Sequence, residues 1–350
     1  MNKNSFTLTT LSENPEYFEE VITLIEKEFH YNSPLSYAKD FALLMDPLNF
    51  DNCYLYVDQA TNKVVSHLAV CPRLMIKSNY TISVALIGGI ATAVDFRGRD
   101  LFKNLMNHAL AIHVQKCGLF ILWSEITGLY EKFSFHLSGG LIETGPAVFS
   151  NNDRPMGFTK STFRDLSPKD FENIQKIYRD FNQKYFFTVV REEKEWSIIR
   201  EMDSIDLYIK KNETGTIEQY FCVNKGRDLT NIIHEVGCLP DQYLQMMKSL
   251  QKYRTWLPES ELSLSSNKDI FFTAFMRLGN FNILKEFLKS VSEGQLELYE
   301  MTGDLICFRF GTIEHQSSHK DFLQYLFGPR PLKEFESLVL SPYIPGTDSI

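Results

Sequence analysis

The stretch Ile87 to Met106, IGGIATAVDFRGRDLFKNLM, sets the reading of the chain. Its first half extends an apolar run through Val84, Leu86, Ile87, Ile90 and Val94, which favours a strand. Leu101, Leu105, Ala109 and Ile112 then recur at helical spacing. Between them lies a polar turn, Asp95-Phe96-Arg97-Gly98-Arg99-Asp100. Strand, basic turn and helix in that order place unpaired backbone N–H groups and a partial positive charge beside two arginines, a seat for phosphate or pyrophosphate. An ordinary turn with solvated arginines accounts for the same pattern.

About thirty residues on, a second apolar run, Leu119-Phe120-Ile121-Leu122-Trp123, opens into Ser124-Glu125-Ile126-Thr127-Gly128-Leu129-Tyr130-Glu131-Lys132-Phe133-Ser134-Phe135. Taken together, the two stretches resemble the GNAT superfamily of acyl-CoA-dependent N-acetyltransferases. In that family a strand ends in Arg/Gln-x-x-Gly-x-Gly/Ala, which cradles the CoA pyrophosphate, and a later Leu-Tyr-Glu-Lys-x-Gly-Phe segment carries a tyrosine beside the thioester. Arg97 matches the first turn position, and Leu129 to Phe135 matches the second motif with Ser134 in place of glycine. Asp100 and Phe102 stand where the family prefers small residues, and a carboxylate on the rim of an anion site repels phosphate unless an arginine offsets it. The central strand lacks the glutamate that serves as base in some relatives: none occurs between Val84 and Val94.

Around this core, Phe6 to Thr10 reads as a first strand, followed by an amphipathic helix through Tyr17, Val21, Leu24, Ile25 and Phe29 and a second helix over Leu35 to Met45. Cys53 to Val57 and Val64 to Cys71 read as a hairpin, and Gly139-Gly140 closes the unit. Asn151 to Pro155 reads as a linker. The pattern then starts again: Phe163-Arg164-Asp165-Leu166 leads into Ser167-Pro168-Lys169-Asp170 and a helix, as Leu8 to Ser12 leads into the first helix. Later segments continue the order, with strands at Ile217 to Val223, Ile232 to Val236 and Ile270 to Met276 and a helix at Phe281 to Val291. Gly237-Cys238-Leu239-Pro240 replaces the phosphate turn there, so no CoA is expected in this repeat. The expectation is an α/β (α+β) chain of two tandem GNAT-like lobes, each a mixed, mostly antiparallel sheet flanked by helices. A catalytic domain spans 1–150 and a degenerate lobe 156–312. The C-terminal helix and tail, 313–350, dock on the first lobe, because the last residues are apolar and shaped by proline and glycine.

Tandem lobes, a Ser-Glu pair ahead of the tyrosine motif and a structured terminus are similar to the enhanced intracellular survival group of aminoglycoside acetyltransferases. That resemblance implies that the backbone of Ile90, Ala91 and Thr92 pairs with the pantetheine arm of acetyl-CoA. Gly98, Arg99, Asp100, Leu101, Phe102 and Lys103 would cradle the pyrophosphate with Arg97, and Ser124 and Glu125 would line the thioester end. Tyr130 would protonate the departing thiolate. The base would be the terminal carboxylate, here that of Ile350. The implied activity is acetyl transfer from acetyl-CoA to a primary amine by direct attack in a ternary complex; the alternative is a GNAT-fold binding or regulatory module without catalysis. Aminoglycoside, polyamine, amino-acid-like metabolite and protein N-terminus all remain open as acceptor. The chain looks too short to hold all of that group's additional lipid-transfer-like domain, so self-association is left open.

Composition bounds the partners. With 36 Lys and Arg against 44 Asp and Glu, a formal net charge of -8 argues against nucleic acid or an anionic membrane and suits a cationic substrate. The six cysteines, Cys53, Cys71, Cys117, Cys222, Cys238 and Cys307, are scattered singly, as buried thiols of a reducing compartment are. No histidine spacing, including His315 and His319, makes a metal motif, so no metal is expected. No signal peptide and no apolar run of about 20 residues occurs, which points to the cytoplasm.

Overall fold

The computed structural model describes residues 5–32, 34–145, 147, 149–150, 154–258, 269–335, 338 and 340–350, so most of the expected linker at 151–155 lies outside the described residues. The front part runs β1 (Phe6–Thr10), α1 (Phe18–Glu28), α2 (Tyr37–Asp40), α3 (Ala42–Met45), β2 (Cys53–Asp58), β3 (Lys63–Lys77), β4 (Tyr80–Thr92), α4 (Leu101–His113), β5 (Leu119–Leu122), α5 (Thr127–Tyr130) and β6 (His136–Thr144). The second part runs β7 (Thr159–Ser161), α6 (Pro168–Ile177), α7 (Gln183–Tyr185), β8 (Phe187–Val189), α8 (Glu193–Arg200), β9 (Asp206–Lys211), β10 (Ile217–Val223), β11 (Ile233–Cys238), α9 (Tyr243–Leu250) and β12 (Thr255–Pro258). Then follow β13 (Asp269–Leu278), α10 (Phe281–Val291), β14 (Leu296–Thr302), β15 (Leu305–Phe310), β16 (Ile313–Ser318), α11 (His319–Phe327) and β17 (Pro342–Tyr343).

Local chemistry explains where these elements start. Asn280 caps α10 by accepting from the amides of Asn282 and Ile283, and Ser318 caps α11 through the amide of Asp321. Val21, Ile22, Leu24 and Ile25 bury one face of α1 against the sheet. The helix expected over Leu35 to Met45 is instead two single turns that break at Phe41, where φ is -113° and ψ 41°.

One fourteen-stranded sheet runs through the molecule in the order β1-β2-β3-β4-β5-β13-β6-β12-β11-β10-β9-β7, with β8 and β17 attached beside β3. The two lobes exchange a strand. β6 follows directly on the front lobe yet pairs with β12, from Thr144↔Thr255 to Leu141↔Pro258. β13 follows the second lobe yet pairs with β5, from Leu122↔Phe275 to Leu119↔Leu278. The two exchanged strands then pair with each other, closing the sheet. The boundary expected at 156–312 is therefore crossed: Asp269–Leu278 lies in the front lobe's sheet, and α10, β14, β15 and α11 send Leu284, Phe287, Leu298, Phe308 and Phe322 into the same core as Val21 and Leu86. Gly139 is not a breaker but a point inside β6. Its φ is +85°, and a Cβ there would stand 2.7 Å from the side chain of Thr273 on β13.

Candidate active site

β4 is paired with β5 only from Val84↔Leu119 to Ile87↔Leu122. β5 then ends at Leu122, so among the described residues the edge of Gly88 to Thr92 that faces it has no strand partner. The other edge is held by β3 through a bulge, where the register slips between His67↔Ala91 and Ala69↔Gly88. Gly89, at φ +60°, supplies the left-handed residue that the bulge requires. His67, fully buried, lies 2.7 Å through Nδ1 from the Gly89 carbonyl. A carbonyl only accepts, so Nδ1 carries the proton; burial pushes the imidazole pKa down to about 4 and the ring stays neutral. Its Nε2 is buried without a partner.

Beyond the strand lie the turn and α4, where the anion seat is expected. Asp100 stands at the N-cap with φ +61°, and its side chain makes no capping hydrogen bond. The first-turn amides of Leu101, Phe102 and Lys103 are thus left to an outside acceptor, since the first intrahelical bond runs from the Asn104 amide to the Asp100 carbonyl. Gly98 leaves open space where a Cβ would be. Both arginines already have protein partners. Arg97 pairs with the carboxylate of Glu28 and donates to the Thr92 carbonyl at 3.2 Å. Arg99 lies 4.9 Å over the ring of Phe96 and donates to the Asp95 carbonyl. Phe102 does not fill the seat: its ring packs edge-on against Tyr130 and Phe133, with centroids 6.0 and 5.5 Å away.

The unpaired segment has two faces. Ala85, Ile87, Phe102 and Tyr130 share the α4 side, whereas Val84, Leu86, Ala91, Ile25 and Leu44 share the α1 side. Tyr130 is buried on the first; burial raises its pKa and a hydrogen bond from Ser124 draws it back. Ser124 also accepts from the Ile126 amide, while Glu125 is exposed nearby. On the second face, a Cβ at Gly88 would stand 3.2 Å from the carboxyl carbon of Ile350 and 3.1 Å from Leu44 Cδ2. The chain's last residue therefore rests directly on β4, and among the described residues no cation forms an ion pair with it.

A buried network brings the tail there. Asp348 binds Arg73 at 2.8 Å and Arg191 at 2.6 and 2.8 Å, all three beneath the surface. Arg191 makes a second, bidentate pair with Glu235, which also accepts from Tyr220 and Thr347. Two guanidinium groups thus meet two carboxylates, which balances their charges. The tail joins both lobes: Tyr343 donates to the His234 carbonyl of β11, and Arg73 belongs to β3 of the front lobe.

On the α1 side, residues of the front lobe meet a loop of the second. Tyr31 donates to Asp40, Tyr37 meets the backbone of Gly89, and burial raises both phenols. Gly226, with φ +54°, lies so close to Tyr31 that a Cβ would come within 2.2 Å of its hydroxyl. Asp228 follows, its carboxyl pKa raised by burial and by the charge of Glu125.

The comparisons support an acyltransferase. Residues 12–138 match the profile of an acetyltransferase (GNAT) domain. The model resembles the crystal structure of a conserved protein of unknown function from Enterococcus faecalis V583, described as a "Probable N-Acyltransferase", with TM-score 0.62, 14% identity and 92% of this chain and 90% of that chain covered. It also resembles a GCN5-related N-acetyltransferase from Anabaena variabilis ATCC 29413, with TM-score 0.62, 15% identity and coverage of 99% and 100%. The N-myristoyltransferase of Saccharomyces cerevisiae, solved with bound myristoyl-CoA, gives TM-score 0.50, 12% identity and 71% coverage of each chain. No curated protein matches by sequence.

Sequence reasoning named Tyr130, Ser124, the α4 turn and Ile350; the structure sets Tyr130 on the α4 face of β4 and Ile350 against Gly88 on the α1 face. Sequence reasoning missed His67, Glu28, Tyr31, Asp40, Lys225 and the Asp348 network, whose partners lie far away in the chain and leave no local spacing. Among the described residues, no group of three or more His, Cys, Asp or Glu side chains could hold a metal, and no helix is long and apolar enough to cross a membrane.

Proposed function

We propose that the front lobe, within residues 1–150, moves an acetyl group from acetyl-CoA to a primary amine by direct attack in a ternary complex. The observation that carries this reading is the unpaired edge of Gly88 to Thr92 flanked by Tyr130 on one face and the carboxyl end of Ile350 on the other. Free N–H and C=O groups on such an edge accept an extended chain bearing amides, as a pantetheine arm does. Ile90, Ala91 and Thr92 supply that edge. The amides of Gly98 through Lys103 supply donors for a pyrophosphate, with Arg97 available once it leaves Glu28.

Acetyl-CoA brings a thioester carbon at which an amine nitrogen replaces sulfur. The chain's own groups handle the protons. The carboxylate of Ile350 takes one from the attacking amine, directly or through water, and the Tyr130 hydroxyl gives one to the sulfur as the C–S bond breaks. The raised pKa of Tyr130 keeps it protonated for that role. Gly89 and His67 fix the bulge in between, which orients the neighbouring backbone. On the acceptor side, Asp40, Asp228 and Glu125 beside aromatic rings suit an amine substrate, small-molecule or peptide, that carries positive charge.

Steady-state kinetics test the assignment. Tyr130→Phe is expected to lower kcat by about 10²-fold or more, while acetyl-CoA still raises the melting temperature. One glycine appended after Ile350 moves the carboxylate and is expected to cost a similar factor. Full turnover in the first variant removes Tyr130 from the mechanism, and in the second removes the terminal carboxylate.

A further inference from the structure

Lys225 is a buried lysine, 1% exposed, in the loop that leaves β10 of the second lobe. Among the described residues, no carboxylate touches its ammonium. It donates instead to the carbonyls of Gly346 at 2.8 Å and Ser349 at 2.5 Å, with the Ser349 hydroxyl at 3.2 Å and the Thr347 carbonyl at 3.5 Å. Its other neighbour is the ring of Phe41 in the front lobe, 5.0 Å away. A strongly hydrated ammonium is expensive to bury, and carbonyl dipoles without a counter-ion repay that cost only in part. Burial accordingly pulls its pKa down to about 7, with Asp348 and Asp40 acting against that and Arg191 and Arg73 with it. A position this costly for stability calls for another role.

We propose that Lys225 is a positioning residue for the transfer reaction: it gathers the carbonyls of the last turn of the tail and so seats Ile350 against Gly88 of β4. The four acceptors converge on one point, and the last of them belongs to the residue next to Ile350. Three ammonium hydrogens shared among them fix the direction in which the chain leaves Ser349. The Asp348 network anchors the same segment from the other side, so Lys225 sets the aim and Asp348 the hold. This role rests on the reading that the carboxyl end of Ile350 acts as base, and the test separates the two.

Lys225→Met keeps the length but leaves the carbonyls of Gly346 and Ser349 without their donor, so its melting temperature is measured alongside turnover. The variant is expected to lower kcat by about 10-fold to 100-fold, as misplacement of a catalytic group by about an ångström does, with the KM for acetyl-CoA unchanged. Hydrogen exchange should rise in the peptide covering 343–350. Lys225→Arg, which keeps N–H donors, should recover part of kcat. Unchanged exchange in the tail, or unchanged kcat in Lys225→Met, overturns the proposal. The glycine-extended protein distinguishes the seating role from the base. If it retains full turnover while Lys225→Met does not, the carboxylate is not the base and the seating role of Lys225 stands. If it loses turnover while Lys225→Met does not, the base stands and Lys225 has no part in placing it.

Discussion

The two lobes share a strand-helix-strand unit and differ in what crosses its edge. In each, a strand runs parallel to the next across a helix: β4 to β5 through α4 in front, and β11 to β12 through α9 behind. In each, β3 or β10 holds one edge of the first strand, while the parallel pairing on the other edge stops short, past Ile87 on β4 and past Ile233 on β11. In front that edge stays open toward the α4 turn, whereas behind the chain's own tail crosses it, with Tyr343 on the His234 carbonyl and Thr347 on Glu235. Gly346 comes so near that a Cβ on it would stand 2.4 Å from the His234 ring. The difference teaches that the edge of the second lobe serves as the mount for a tail whose last residue rests on β4 of the front lobe.

Breaking the mount should have the largest effect. Asp348→Asn leaves Arg73 without its carboxylate and Arg191 with one of two, and is expected to cost about 3–5 kcal/mol in urea unfolding, as removal of one partner from a buried ion pair does. Burial raises the Asp348 carboxyl pKa, and Arg191 and Arg73 more than reverse this, so it titrates below the usual carboxylate range. Its contribution is therefore complete above pH of about 4 and disappears as pH falls through the lower folded value. The wild-type protein should lose stability over that acid window more steeply than the variant. Parallel curves would remove Asp348 from the anchor.

A smaller effect sharpens the description of the open side. Glu28→Gln frees Arg97 from its pair. The guanidinium is 59% exposed, so the pair is worth less than about 1 kcal/mol and acetyl-CoA should bind no more than about 5-fold tighter. Weaker binding in a titration would mean that Glu28 holds Arg97 in place for the ligand.

Much of this plan could be read from local sequence. α10 spans Phe281–Val291 as read from the sequence, and the β4-turn-α4 unit follows from one stretch of twenty residues. The exchange of β6 and β13 could not be read, because Ala274 meets Ser138 only after the whole second lobe has intervened, and Gly139-Gly140 mimics a loop. β16 was hidden for another reason: Ile313 to Ser318 is polar and exposed, with no alternation to betray a strand. In the site, Tyr130 came from its motif and Ile350 from family resemblance. Lys225 and Glu28 came from neither, since a lysine's burial and an arginine's partner are properties of the folded chain alone.

Calorimetric titration of the intact protein with acetyl-CoA tests the contrast between the lobes most directly. The account predicts one equivalent bound per chain with micromolar affinity, in the open front lobe. Two equivalents, or none, would contradict it.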